Sequence, residues 1–103
     1  LVAQWVRICG VDEAPAEGSV CEQFAGELQV CLARVGGQLK AVDNLCPHRQ
    51  GPLGQGWLEG KAVVCPWHSW AFDLESGSAD YPDGERVAVY PVRVDGEDVL
   101  VEV

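Results

Sequence analysis

Two short clips in the middle of the chain restrict its fold more than anything else in it. They are Cys46-Pro47-His48 and, sixteen residues later, Cys65-Pro66-Trp67-His68. Each offers one thiol and one imidazole within a few residues. The chain's two histidines are both spent here. Two sulfurs and two imidazoles are the donor set of a zinc ion or of an iron–sulfur centre. A fold that uses all four must bring two distant loops to one point. Proline stiffens both clips, because Pro47 and Pro66 fix their own φ and push Cys46 and Cys65 toward extended backbone. Such a turned-back loop can aim backbone N–H groups at sulfur.

The 103 residues make one small domain with one modest core, which a metal centre would help to hold together. Hydrophobic residues reach 48%, too many for a disordered chain. Formal charge is −9, and the acids are dispersed rather than run together. With no basic patch, nucleic acid is excluded as a partner. The charge keeps the chain soluble and also suits approach to a basic protein surface. No apolar run reaches the length of a membrane span. The opening Leu1-Val2-Ala3-Gln4-Trp5 carries neither a positive leader nor a cleavage pattern, which reads as no signal peptide. Five cysteines, two of them in metal-type clips, argue against a secreted disulfide scaffold and for the cytoplasm.

Strand-like runs dominate the rest. Trp5–Cys9 alternates apolar and polar residues and ends at Gly10. A loop over Val11–Ser19 holds one helical turn at Asp12-Glu13-Ala14. Val20–Phe24 and Leu28–Val35 are strands, the second with Gln29, Cys31 and Ala33 on one face and Leu28, Val30 and Leu32 on the other. Gly36-Gly37 makes the tight hairpin turn to Gln38–Val42. Glycine- and proline-rich loops then separate two brief strands, Lys61–Cys65 and Trp70–Leu74. Turns at 75–78 and 81–84 lead to closing strands Arg86–Val94 and Asp98–Val103. Pro91 inside the first marks an edge or a bulge. About ten short strands and no amphipathic helix of useful length predict an all-β antiparallel sandwich or barrel. The base is 1–42 and 75–103, with a small β subdomain, 43–74, inserted to carry the clips.

Beyond the clips, Cys46-Pro47-His48-Arg49-Gln50-Gly51-Pro52-Leu53 resembles the first loop of the Rieske proteins. Cys65-Pro66-Trp67-His68, followed by Phe72-Asp73-Leu74-Glu75-Ser76-Gly77, resembles the second. The resemblance implies a three-sheet β fold and a 2Fe-2S cluster near its tip, with Cys46 and Cys65 on one iron and His48 and His68 on the other. Two ferric ions, two sulfides and two thiolates then carry no net charge, so the cluster is reduced more easily than one held by four thiolates. High-potential members join the positions matching Gly51 and Trp67 as a disulfide. They also place hydroxyl donors at the positions matching Trp70 and Phe72. Neither device is available here, which predicts a potential of about −150 mV rather than about +300 mV. A zinc-binding interaction module remains the rival for the same donors, although the spacing is not that of a classical finger and no recognition helix follows.

With both histidines committed, none is left for the two-His, one-carboxylate iron site of an oxygenase, and no nicotinamide or flavin fingerprint is present. The reading is a one-electron carrier rather than a catalyst, monomeric when isolated. It would pass electrons from a flavin-containing reductase to a terminal oxidoreductase such as an oxygenase. The stretch Val89-Tyr90-Pro91-Val92-Arg93-Val94-Asp95-Gly96 also resembles the small subunit of assimilatory NAD(P)H-dependent nitrite reductases, whose partner would be the large subunit. Cys9, Cys21 and Cys31 are expected as small buried hydrophobes, and Trp5 and Trp57 as packing residues. Trp70 and Phe72 should lie beneath the clips. Trp67 is expected at an exposed position, shielding the centre or forming part of an apolar docking rim. Gly54 and Gly56 read as turn formers.

Overall fold

The computed structural model describes residues 4–46, 51–67, 69–81 and 85–103. Strands β1 (Trp5–Gly10), β2 (Val20–Ala25), β3 (Leu28–Val35) and β4 (Gln38–Asp43) come first. They are followed by β5 (Trp57–Glu59), β6 (Ala62–Val64), β7 (Ala71–Asp73) and β8 (Ala79–Tyr81). The chain closes with β9 (Val89–Tyr90), β10 (Val92–Asp95) and β11 (Asp98–Glu102). They form three antiparallel sheets, β1-β11-β10, β2-β3-β4-β9 and β5-β6-β7-β8. No helix among the described residues is long and apolar enough to cross a membrane.

The middle sheet is apolar on both faces, and β3 is the reason. Its two side-chain rows diverge as strand geometry requires. Cys31 and Ala33 pack with Val42, Leu53, Val63 and Phe72, while Val30 and Leu32 pack with Ile8, Ala41, Val99 and Val101. The first set is the floor beneath the clips; the second glues the middle sheet to β1-β11-β10. The same divergence rules out a Cys21–Cys31 disulfide. Cys21 lies opposite Leu32 and so takes the other face from Cys31, and none of the five cysteines is disulfide-bonded. Cys9 and Cys31 are buried as expected, whereas Cys21 is only half-buried.

Several expected boundaries shift. The alternation over Trp5–Cys9 is interrupted, because Arg7 pairs with Leu100 and Cys9 with Val99, leaving Ile8 as the extra residue of a bulge. Ile8 and Cys9 therefore both reach the core. The single strand expected over Arg86–Val94 is two strands. Val89 pairs with Val42 in the middle sheet, and Val92 pairs with Val101 in the outer one. Pro91, with no N–H to donate, stands where the chain changes sheet. The strands β5 and β8, unforeseen, flank the expected pair β6 and β7. The helical turn is a 3-10 turn one residue earlier, Val11–Glu13. At the Gly36-Gly37 hairpin both φ values are positive, 61° and 79°, as that tight turn demands. Trp5 is half-buried beneath the Arg93 guanidinium, 4.4 Å above its ring. Trp57, expected to pack, is 44% exposed on the edge strand β5.

Candidate metal centre

Each candidate thiol follows the end of a strand in the floor. The β4 strand stops at Asp43, and Asn44 and Leu45 carry the chain to Cys46; β6 stops at Val64, and Cys65 is next. Both thiols are buried in the same apolar cluster as Val63 and Phe72. His48 and His68, the other two candidate ligands, lie outside the described residues. Among the described residues no group of three His, Cys, Asp or Glu is arranged to hold a metal.

The two loops meet at Gly51. The Cys46 N–H donates to the Gly51 carbonyl at 2.9 Å, closing the first loop on itself. A Cβ built on Gly51 would stand 2.8 Å from Cys65 Sγ and 3.2 Å from two ring carbons of Trp67. Only a residue without a side chain lets the loops approach so closely. The second loop is closed by the Cys65 N–H donating to the Trp70 carbonyl at 2.7 Å. Inside it, the Trp67 N–H points at Cys65 Sγ at 3.4 Å. A backbone donor therefore already points at this sulfur from within its own loop. Ser69, at φ 58°, is the one described non-glycine with positive φ, and it turns the chain back toward Trp70. Phe72 is fully buried under the loops and Trp70 half-buried beside it, the ring centroids 6.5 Å apart.

Beneath the first loop lies a polar hub that the sequence reading missed. Asn44 is 1% exposed. Its Nδ2 donates to Glu22 Oε2 at 2.7 Å, and its Oδ1 accepts from the buried Gly54 N–H at 2.7 Å. Its backbone carbonyl accepts from the Leu53 N–H at 2.7 Å. Glu22 Oε1 also accepts from Gln55 Nε2 at 2.9 Å. One asparagine thus ties β2, the approach to Cys46 and the 3-10 turn Leu53–Gln55 together. Gly54 is required by this crowding, since its Cβ would stand 2.5 Å from Glu22 Cγ, not by a turn alone. The available signal was an asparagine two residues before a candidate ligand, at a strand end.

Away from the centre, burial pushes the Cys31 thiol up to about 12 and the Cys9 thiol up to about 11. They remain neutral and inert, whereas both clip cysteines reach Gly51, Cys46 through its N–H and Cys65 through its sulfur. Two thiols buried in one cluster, one of them with a backbone N–H aimed at it, in two loops whose sequences also carry histidines, fit a cluster with mixed sulfur and nitrogen ligands.

The family model described as the Rieske [2Fe-2S] domain matches residues 4–91. The ferredoxin component of the naphthalene 1,2-dioxygenase system of Pseudomonas aeruginosa is 31% identical over 99% of this chain and 98% of its own length. Among solved structures, the ferredoxin in a complex of reduced oxygenase and oxidized ferredoxin of carbazole 1,9a-dioxygenase aligns at TM-score 0.81. It is 26% identical, over 93% of this chain and 99% of that one. The putative NADH-dependent nitrite reductase small subunit from Mycobacterium tuberculosis aligns at TM-score 0.86, 25% identical over 99% and 96% of the two chains.

Proposed function

The chain belongs to the Rieske [2Fe-2S] family, and from that premise we propose that it is the ferredoxin component of an oxygenase system, carrying single electrons from a flavin-containing reductase to the terminal oxygenase. The observation that carries the proposal is the meeting of Cys46 and Cys65 at Gly51, both thiols buried in one cluster. Cys46 and Cys65 would hold one iron and His48 and His68 the other. Residues 43–74 act as the cluster-binding subdomain on a base of 1–42 and 75–103, with β8 from the second base segment completing the subdomain's sheet. When bound, the cluster supplies one reversible electron, at a potential of about −150 mV.

The residues around it do the rest. Cys46 and Cys65 would anchor it from the apolar floor, and the Trp67 N–H donates to the Cys65 sulfur. Trp70 and Phe72 carry no hydroxyl to donate to sulfur, so the reduced cluster would gain no stabilisation from those two positions, in keeping with a low potential. The chain's net charge of −9 draws it toward a basic partner surface in a small, short-lived contact that weakens as salt rises. The carrier works as a monomer in the cytoplasm.

Iron and sulfide analysis with the EPR spectrum of the reduced protein tests the cofactor. Two irons, two sulfides and a rhombic signal of low average g are expected, and that signal should be lost or altered in His68→Cys. A colourless protein with one zinc would refute the proposal. The nitrite reductase alignment over 99% of the chain favours a second reading, a small subunit bound to a large reductase chain. Co-purification with such a chain, in place of an isolable monomer with a reversible couple, would select it.

A further inference from the structure

We propose that Trp67 is a positioning residue of the metal centre: its indole, lying across Gly51, clasps the second loop to the first and keeps water from the Cys65 sulfur. The inference rests on the reading of the site as a cluster. Gly51 is buried and bonded to the Cys46 N–H, so it belongs rigidly to the first loop. Trp67 belongs to the second, its own N–H held on Cys65 Sγ. The space where a Gly51 side chain would go is bounded by that sulfur at 2.8 Å and by the indole at 3.2 Å. Ring and sulfur therefore border the same space at the glycine, while Trp67 as a whole is 49% exposed.

Two consequences follow from ordinary physics. No disulfide joins these loops. A flat apolar ring on a bare backbone then adds resistance to their separation, and its loss speeds release of iron. The ring also displaces water that would otherwise donate hydrogen bonds to Cys65. Water at the sulfur stabilises the reduced, more negative form, so uncovering the sulfur moves the potential upward.

The test uses the cluster-loaded protein. Trp67→Ala should release iron to a chelator about tenfold faster, the scale expected for one lost ring contact. Its midpoint potential, by protein-film voltammetry, should move in the positive direction. Trp67→Phe, which keeps a ring over Gly51, should fall between the two, and it carries the comparison if the alanine variant takes up no iron. A merely structural tryptophan would lower the melting temperature and leave the potential where it was. Gly51→Ala should also speed iron release. Combined with Trp67→Ala it should cost less than the product of the two effects, because the two groups share one space. With the wild type loaded, an unmoved potential or an unchanged release rate in the variant overturns the clasp alone, as does simple multiplicativity. A wild type devoid of iron and sulfide overturns the reading of the site, and the clasp with it.

Discussion

Replacing Asn44 with alanine should be among the most damaging single changes away from the thiols. The Gly54 N–H, buried and pointed at Asn44 Oδ1 at 2.7 Å, would lose its acceptor in a place water does not reach. A stranded buried donor costs about 1–3 kcal/mol. The Nδ2 bond to Glu22 at 2.7 Å adds less, because Glu22 is half-buried, keeps Gln55 and can be rehydrated. About 1 kcal/mol is a fair share for it. The total is about 3 kcal/mol, or a fall in melting temperature of roughly 10–20 °C for a domain of this size. The assay is unfolding of the cluster-loaded proteins by far-UV circular dichroism, variant beside wild type, under reducing anaerobic conditions. Asn44→Asp sharpens the logic. Protonated, it can replace both bonds of the amide. Ionised, it sets a carboxylate against Glu22. Burial and that like charge raise its folded pKa, so its stability is intact at pH below the unfolded carboxylate value and is lost as pH climbs through the folded one. Adding Glu22→Gln should return part of the loss at neutral pH. A loss under about 1 kcal/mol for Asn44→Ala, well short of the sum worked above, would refute the account. So would an Asn44→Asp deficit that ignores pH.

Ser69→Gly should stabilise the second loop by about 0.5 kcal/mol, since relief of the left-handed backbone outweighs the entropy glycine adds to the unfolded chain. Ser69→Val should destabilise it, and equal melting temperatures for the two would contradict the strain. The raised Cys9 and Cys31 thiols contribute stability that is whole below the usual thiol value of 9.0 and drains away toward about 11 and about 12. Cys9→Ala with Cys31→Ala should flatten that alkaline decline in a pH series of unfolding curves. Asp73 accepts from the Glu75 and Ser76 N–H groups at 2.7 and 3.0 Å. The Ser76 bond, then the Glu75 bond, holds its carboxyl below the ordinary 3.8. Its contribution is present above that value and lost as pH falls through the depressed one, so Asp73→Asn should flatten the acid side of the same series.

The candidate ligands were legible because ligand chemistry is local. A cysteine, a proline and a histidine in three residues declare themselves without a fold, and so does a glycine pair that must turn. Most strand centres were legible for the same reason, since alternation is written within one strand. What escaped depended on residues far apart in the chain. Pro91 could be read as an interruption, but that the strand on each side joins a different sheet depends on Val42 and Val101. The bulge at Ile8 exists only against Leu100 and Val99.

The same division runs through the centre itself. By itself the sequence determined the chemistry on offer: two sulfurs, two imidazoles, an acidic exterior and enough β-forming residues for an antiparallel fold. Only the tertiary structure decided that Gly51 is the point of contact, that Trp67 closes over it and that Asn44 is the polar hub below. Each depends on atoms from separate loops competing for one small volume, and occupancy of space is a property of the folded chain that no single stretch of sequence records.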